Sequence, residues 1–205
     1  MCRTRAIGLA LAAALALPVA LAGQAPARTR TAQQKIADAL SAAPRSIAAK
    51  AAIMDWPAKE GEQPKELRAG DNGWVCFPTT PQAFESASGH DPMCVDQEWQ
   101  AWADAWSKKE PPQVKKVGVA YMLMGDAGGS NTDPFATKPT ADNEWITSPP
   151  HIMVLLPDTA ALAGLPSDPN NGGPWVMYKG TPYAHVMVPI APRRVTRPRA
   201  RKIGD

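Results

Sequence analysis

Twenty-two prolines interrupt this 205-residue chain, and they limit its architecture more than any other feature. Proline ends or kinks a helix because it lacks the backbone N–H and clashes with the preceding turn. Fifteen glycines add further turns. A long helical bundle is therefore disfavoured, and short elements joined by loops are expected. With 44% hydrophobic and 20% charged residues, the chain has a globular rather than a disordered composition.

The first 22 residues have the pattern of a secretory signal peptide. Arg3 and Arg5 precede an apolar stretch over residues 6–22, which ends in an Ala-x-Ala cleavage pattern at residues 20–22. A membrane anchor is the alternative, but the stretch is shorter than the ~20 residues of a membrane span, and Pro18 interrupts it. We therefore predict an exported protein, periplasmic or extracellular, that is not embedded in a membrane.

The rest of the chain divides into three predicted parts. Residues 23–31 form a polar leader, residues 32–192 a single domain, and residues 193–205 a tail with six basic side chains and one acidic. The domain carries 12 basic and 18 acidic side chains, a net charge of −6, although the whole chain has +3. We therefore predict no specific nucleic-acid binding, and a tail that is either simply solvated or in weak contact with anionic surfaces.

Two cysteines remain after cleavage of the signal peptide, Cys76 and Cys94. An even pair in an oxidising compartment predicts a disulfide bond, with two separate buried thiols as the alternative. The bond would tie together the ends of a polar loop, residues 79–92, and stabilise the fold by about 3 kcal/mol for a loop of roughly 18 residues. A cysteine metal site is disfavoured because the mature chain has no other cysteine to complete it.

Hydrophobic periodicity and turn residues predict two or three helices and about six strands. Helices are predicted over residues 31–43 and 96–109, the second capped by Asp96, and one helical turn is predicted within 158–165. The predicted strands cover residues 53–56, 74–77, 117–124, 151–156, 175–178 and 183–188. The last two would form a hairpin. Because loops rather than helices connect the strands, we predict a single α+β domain with a mainly antiparallel sheet.

Three tryptophans mark one face of the second predicted helix. Trp99, Trp102 and Trp106 are spaced i, i+3 and i+7, so their side chains point the same way. We predict that this face packs on the sheet, each ring burying ~200 Å². An exposed platform that stacks on a sugar or another ligand is the alternative. It is disfavoured because three exposed indoles would form a large apolar patch.

Two segments around histidine repeat one pattern. Residues 148–154 read Ser-Pro-Pro-His-Ile-Met-Val, and residues 181–188 read Thr-Pro-Tyr-Ala-His-Val-Met-Val. Both combine Ser or Thr with Pro, a short spacer, and then His, a β-branched residue, Met and Val. Both fall on predicted strands, so His151 and His185 are the leading candidates for functional side chains.

The side chains of a strand alternate between its two faces. His151 and Met153 therefore share one face, and so do His185 and Met187. If the two strands are neighbours, the four side chains could converge. Imidazole and thioether together suit copper, especially Cu(I), so a copper site is one candidate function. The alternative is that the methionines fill the core and the histidines bond to backbone groups.

A pocket for a small molecule is the leading functional prediction. It would lie at the two histidine strands. Its predicted walls are formed by aromatic and histidine side chains: Tyr121, His151, Trp175, Tyr183 and His185.

An enzyme with a histidine general base is the third candidate. Asp126 or Asp133 would orient the base, and Tyr121 or Tyr183 would assist it. The chain has no phosphate-binding glycine loop, no Gly-x-Ser-x-Gly elbow and no His-Glu-x-x-His motif, so no reaction class is indicated. The acidic loop 126–133 lacks the spacing of a calcium loop and is predicted to be a polar turn.

Overall fold

The computed structural model describes residues 29–59, 61–86 and 89–191. The predicted signal peptide, the predicted tail and residues 23–28 of the predicted leader lie outside this part of the chain. Over the residues described, the helices are all too short or too polar to cross a membrane.

Within the part of the chain that the structure describes, ten strands form two sheets. In chain order they are β1 (Ala52–Asp55), β2 (Lys65–Arg68), β3 (Val75–Phe77), β4 (Met93–Val95), β5 (Gly118–Met122), β6 (Gly129–Ser130), β7 (Trp145–Ile146), β8 (His151–Leu155), β9 (Trp175–Met177) and β10 (His185–Pro189). The large sheet has the order β2-β1-β3-β4-β5-β8-β10-β9, and β6 pairs with β7 separately. Within the large sheet β1 and β3 run parallel, and the other neighbours run antiparallel.

The predicted α+β class is confirmed, but the count of about six strands is wrong, since the large sheet alone has eight and is mixed. The predicted β9–β10 hairpin is present. Two strands of the large sheet were not predicted from the sequence. β2 is a charged edge strand without hydrophobic alternation, and β4 has only three residues. Its position between β3 and β5 makes β4 a strand, and that position is set by distant residues.

Over the described ranges, four helices pack around the large sheet. They are α1 (Ala32–Leu40), α2 (Arg45–Ala48), α3 (Pro81–Ser86) and α4 (Gln97–Ser107), and a 3-10 turn covers Thr159–Leu162. α1 begins at a capping box, in which Thr31 and Gln34 each accept a hydrogen bond from the other's backbone N–H. α4 begins where predicted, because Asp96 Oδ1 accepts the N–H of Trp99 at 3.0 Å. α3 lies within residues 79–92, which were predicted to be a loop.

Both faces of the large sheet are covered. On one face, small side chains of α1 and α2 pack on β1, β3 and β4, and the 3-10 turn packs on β9 and β10. On the other face, α4 packs on a layer that we call the methionine face. It consists of Met122, Met153, Met177, Met187, Leu155 and Trp175, with Trp99 of α4 against it.

The tryptophan face of α4 packs on the sheet only in part. Trp99 is buried and Trp102 is half-buried, whereas Trp106 is 39% exposed. Trp106 lies about 10 Å along the helix from Trp99. Instead of the sheet it contacts a loop, where its ring stacks on Phe135 and its indole N–H donates to the Pro134 carbonyl. The prediction that all three rings cover the sheet is therefore wrong for Trp106.

Candidate functional site

Both predicted histidines are buried on the methionine face. His151 is 0% exposed and His185 is 2% exposed. Their strands, β8 and β10, are antiparallel neighbours in which Met153 lies directly opposite Met187. The strand alternation then places both histidines on the same face as these two methionines. The structure thus brings the four predicted side chains to one side of the sheet.

The two histidines are offset from each other along their strands. His151 lies opposite Pro189, whereas His185 lies four residues further along β10. With a rise of ~3.4 Å per residue and ~4.8 Å between strands, their Cα atoms are about 14 Å apart. Met153 and Met187 occupy the positions between them. The four side chains therefore form a diagonal band and do not surround one point.

The two imidazoles have the same local hydrogen bond. Nδ1 of His151 lies 2.7 Å from the carbonyl oxygen of Pro149, and Nδ1 of His185 lies 3.0 Å from that of Tyr183. A carbonyl oxygen only accepts, so in both rings Nδ1 carries the proton and Nε2 carries the lone pair. Both Nε2 atoms are buried, and neither has a hydrogen-bond partner among the described residues.

Burial keeps both rings neutral. Burial, and to a smaller extent the nearby His151, lowers the pKa of His185 to about 4, against the opposing effect of the Tyr183 carbonyl. Burial also lowers the pKa of His151, and here the carboxylate of Asp126 is the main opposing influence. At neutral pH each Nε2 therefore offers a free lone pair to a Lewis acid.

Asp126 and Ser148 accompany His151. Oδ1 of Asp126 accepts the backbone N–H groups of Gly128 at 3.1 Å and Ser148 at 2.7 Å. Burial raises the pKa of Asp126, while the nearby His151 and the backbone N–H groups of Ser148 and Gly128 lower it. The Ser148 hydroxyl is buried and lacks a hydrogen-bond partner in the described structure. Two buried polar groups, His151 and Ser148, thus lie beside the half-buried Asp126 at the start of β8.

Aromatic rings enclose His185. The ring centroids of Trp99, Tyr178 and Trp102 lie 5.0, 5.4 and 5.8 Å from that of the imidazole. The indole N–H groups of Trp99 and Trp102 are buried, and no described residue accepts a hydrogen bond from them. The surroundings of the two histidines therefore differ, with a carboxyl and a hydroxyl near His151 and aromatic rings around His185.

The other predicted pocket residues are divided between the two faces. Tyr183 is buried with its ring against Trp102, and Trp175 on the methionine face donates its indole N–H to Asn131. Tyr121 pairs with Ile152 and therefore lies on the opposite face. The structure places Tyr183 and Trp175 on the side of the histidines, and Tyr121 away from them.

Two open grooves, each of about 480 Å³, lie near this region. The first is lined mainly by apolar residues, among them Pro149, Trp175 and Pro189. The second lies between the 3-10 turn and the β9–β10 connection. The imidazoles of His151 and His185 line neither groove.

Met122 and Met177 are neighbours of the histidines that sequence reasoning missed. Met122 lies directly opposite His151, and Met177 lies directly opposite His185. Both methionines lie in predicted strands, but only the register of those strands determines which residue lies opposite each of them. The sequence contains no local signal for that register.

Asp133, a candidate for orienting a histidine base, has a simpler role in the structure. Oδ1 of Asp133 accepts the N–H of Phe135, and the Ser130 hydroxyl accepts the N–H groups of Thr132 and Asp133, as in a polar turn. No group of three or more His, Cys, Asp or Glu side chains within the described ranges is placed to hold a metal ion.

Cys76 and Cys94 lie opposite each other on β3 and β4, with Cα atoms 4.0 Å apart and sulfur atoms at bonding distance. Both are fully buried on the face opposite the histidines. Their sulfurs are thus paired with each other and remote from the methionine face.

Comparison of the chain with protein-family models, with curated proteins and with solved structures finds no match. The fold and the site define an α+β protein with a buried face of histidine and methionine. Its function is therefore inferred from the residues themselves.

Proposed function

We propose that this protein is an exported binding protein for a soft metal ion, Cu(I), which is held by histidine and methionine side chains on the methionine face. The observation that carries the proposal is the pair of buried Nε2 atoms, in His151 and His185, that lack hydrogen-bond partners. A buried polar atom without a partner costs about 1–3 kcal/mol. A metal–nitrogen bond would remove that cost at each ring.

The hydrogen bonds of the two imidazole rings favour a role as metal ligands. Metal-bound histidines commonly donate their other ring N–H to a carbonyl or carboxylate, which fixes the tautomer and the ring orientation. Pro149 and Tyr183 supply these carbonyls to His151 and His185. The lone pairs on Nε2 are then ready without any change of protonation.

The neighbouring donors favour a soft ion. Thioethers of Met122, Met153, Met177 and Met187 share the face with the two imidazoles. Thioether sulfur selects Cu(I) over Mg²⁺ or Ca²⁺, which prefer oxygen. Asp126 is the carboxyl that acts on the pKa of His151, and one carboxyl does not build a site for a hard cation.

The size of the accessible space favours an ion over a larger ligand for these two atoms. Neither groove reaches the imidazoles of His151 and His185. A single atom can reach a buried Nε2 through small movements of flexible methionine side chains. An organic ligand would need to open the core.

Export is part of the proposal. The signal-peptide pattern of residues 1–22 and the Cys76–Cys94 pair both support an oxidising compartment.

Anaerobic titration of the mature protein with Cu(I), in competition with a chromophoric chelator, tests the proposal. The double variant Met153→Leu/Met187→Leu should lose at least about tenfold in Cu(I) affinity, since even outer-shell changes cost roughly that much. The control is Met54→Leu/Met124→Leu, because Met54 lies on β1 and Met124 is 47% exposed. Thermal unfolding confirms that each variant is folded. Absence of Cu(I) binding in the unmodified protein would end the proposal.

Binding of a small apolar molecule is a second candidate, favoured by the groove beside Trp175. Its volume of about 480 Å³ is typical of a ligand pocket. Gly173 lines this groove, and a side chain there would meet only Asn171. Saturation-transfer NMR with small aromatic fragments should detect binding that Gly173→Val abolishes. Equal binding by the variant would place the fragments elsewhere.

A further inference from the structure

We infer that the methionine face holds two metal ions, each bound by one histidine and two methionines. The first ligand set is His151, Met153 and Met122. The second is His185, Met187 and Met177. This inference rests on the proposed function and adds the number of ions and the ligands of each.

The register of four strands supplies the ligand sets. Met122 on β5 lies opposite His151, and Met177 on β9 lies opposite His185. Opposite residues have Cβ atoms about 5 Å apart. Each histidine therefore faces a methionine on its outer neighbouring strand, away from the other histidine.

The His-x-Met repeat completes each set. Met153 follows His151 by two residues on the same face, at about 7 Å along the strand, and Met187 follows His185 in the same way. These two methionines lie opposite each other at the centre of the face. Each set thus contains one nitrogen and two sulfur donors, a small soft ligand set of the kind that suits Cu(I).

One shared ion is disfavoured by the positions of the histidines. Their Cα atoms are about 14 Å apart along and across the strands. In addition, each Nδ1 is fixed to a carbonyl at the end of its strand that lies away from the other histidine. These bonds draw the two rings in opposite directions along the face.

The two ions would have different surroundings. The outer ion, at His151, lies beside the Asp126 carboxyl and near the groove that Pro149 and Pro189 line. The inner ion, at His185, lies among the rings of Trp99, Trp102 and Tyr178. The Asp126 carboxyl would offset the charge of the first ion, whereas aromatic rings surround the second.

Imidazole ¹⁵N NMR tests the inference because the chain has only three histidines. The probe is Ag(I), a redox-inert soft ion, added to the ¹⁵N-labelled mature protein, with parallel Cu(I) stoichiometry from elemental analysis. His90, with 66% of its side chain exposed, is the internal reference. Two bound ions per chain are expected, with the Nε2 resonances of His151 and His185 both shifting.

Conservative variants separate the two sets. Met122→Leu should weaken the response of His151 by more than about tenfold in Ag(I) concentration and leave His185 unchanged. Met177→Leu should do the reverse, and Met124→Leu should change neither. His151→Asn and His185→Asn should each keep one ion.

Each outcome decides the matter. One ion per chain that moves both resonances together, and is lost in either histidine variant, would overturn the two-ion inference and leave the proposed function standing. A response of only one histidine would also overturn it. No response of either histidine and no bound Cu(I) would overturn both.

Discussion

Burial separates the three histidines of this chain into two kinds. His90 is exposed and lies 3.4 Å from the Asp38 carboxyl, whereas His151 and His185 are enclosed in the core. A buried imidazole resists protonation because the charged form loses its hydration. The same burial that leaves Nε2 without a partner thus keeps its lone pair unprotonated at mildly acidic pH.

The stability of the metal-free protein should fall as the pH decreases from about 6.5, the ordinary pKa of histidine, to about 4, the pKa of folded His185. Within this window the unfolded chain binds protons more readily than the folded chain, so protonation favours unfolding. His185 alone contributes a loss on the order of 3 kcal/mol. Denaturant unfolding at several pH values, in the presence of a chelator, measures it.

A matched pair of variants isolates this contribution. His185→Gln should flatten the pH dependence in this window, and His90→Gln should leave it as in the parent protein. A parent and a His185→Gln protein with equal slopes would show that His185 does not titrate as its burial requires.

Among the elements, α4 depends on one carboxylate at its start. Oδ1 of Asp96 caps the helix at Trp99, while Oδ2 accepts the N–H of Val119 on β5 at 2.6 Å. A single side chain therefore fixes both the start of the helix and its position on the sheet. Gly118 permits this contact, since a Cβ there would lie 2.9 Å from the Glu98 side chain.

Asp96→Ala should destabilise the protein by about 2–4 kcal/mol, from a lost N-cap and an unpaired N–H at Val119. Asp96→Asn keeps one acceptor oxygen, so its stability should lie between that of Asp96→Ala and that of the parent protein. Asp104→Ala, which removes an exposed pair with Lys108, should have a much smaller effect because water and salt screen the pair. Chemical denaturation measures all three, and equal losses for Asp96→Ala and Asp104→Ala would contradict the double role of Asp96.

Elements with strong local signals were predictable from the sequence. α4 has a capping aspartate and a periodic apolar face, and β8 and β10 are apolar runs that proline follows within a residue or two. β6, β7 and β4 have two or three residues each, too few to show a period, and they exist because a partner strand lies beside them. Strand alternation alone predicts that His151 and His185 each share a face with the methionine two residues later. Their offset, and their pairing with Met122 and Met177, depend on a register that distant parts of the chain set together.

At the scale of the whole molecule, the large sheet combines two different halves. Strands β1 to β4 carry the cysteine pair and lie under α1 and α2. Strands β5, β8, β9 and β10 carry the methionine face. Because the two halves share one continuous sheet, a change in the first half can alter the stability of the whole protein. The side chains of the methionine face would keep their own contacts, since they belong to a separate cluster.

Oxidation of Cys76 and Cys94 should lower the intact mass of the protein by two hydrogens relative to the reduced form. Reduction should destabilise the fold by about 3 kcal/mol, since the bond closes a short loop. The Cys76→Ala/Cys94→Ala variant should lose a similar amount and keep its Cu(I) stoichiometry. Two thiols that react in the denatured, unreduced protein would disprove the bond.

The order of strands in the sheet also sets an order in time. β3, β4 and β5 are neighbours in both chain and sheet, so their pairing closes only short loops, which is fast. The cysteines, 18 residues apart, come together as soon as β3 meets β4. His185 and Met187, in contrast, lie on β10, which docks between β8 and β9 near the end of the chain. For a chain that emerges N-terminus first, the disulfide half can be complete before the proposed metal ligands on β10 are in place. Metal loading of the set that contains His185 would therefore be confined to the final stage of folding.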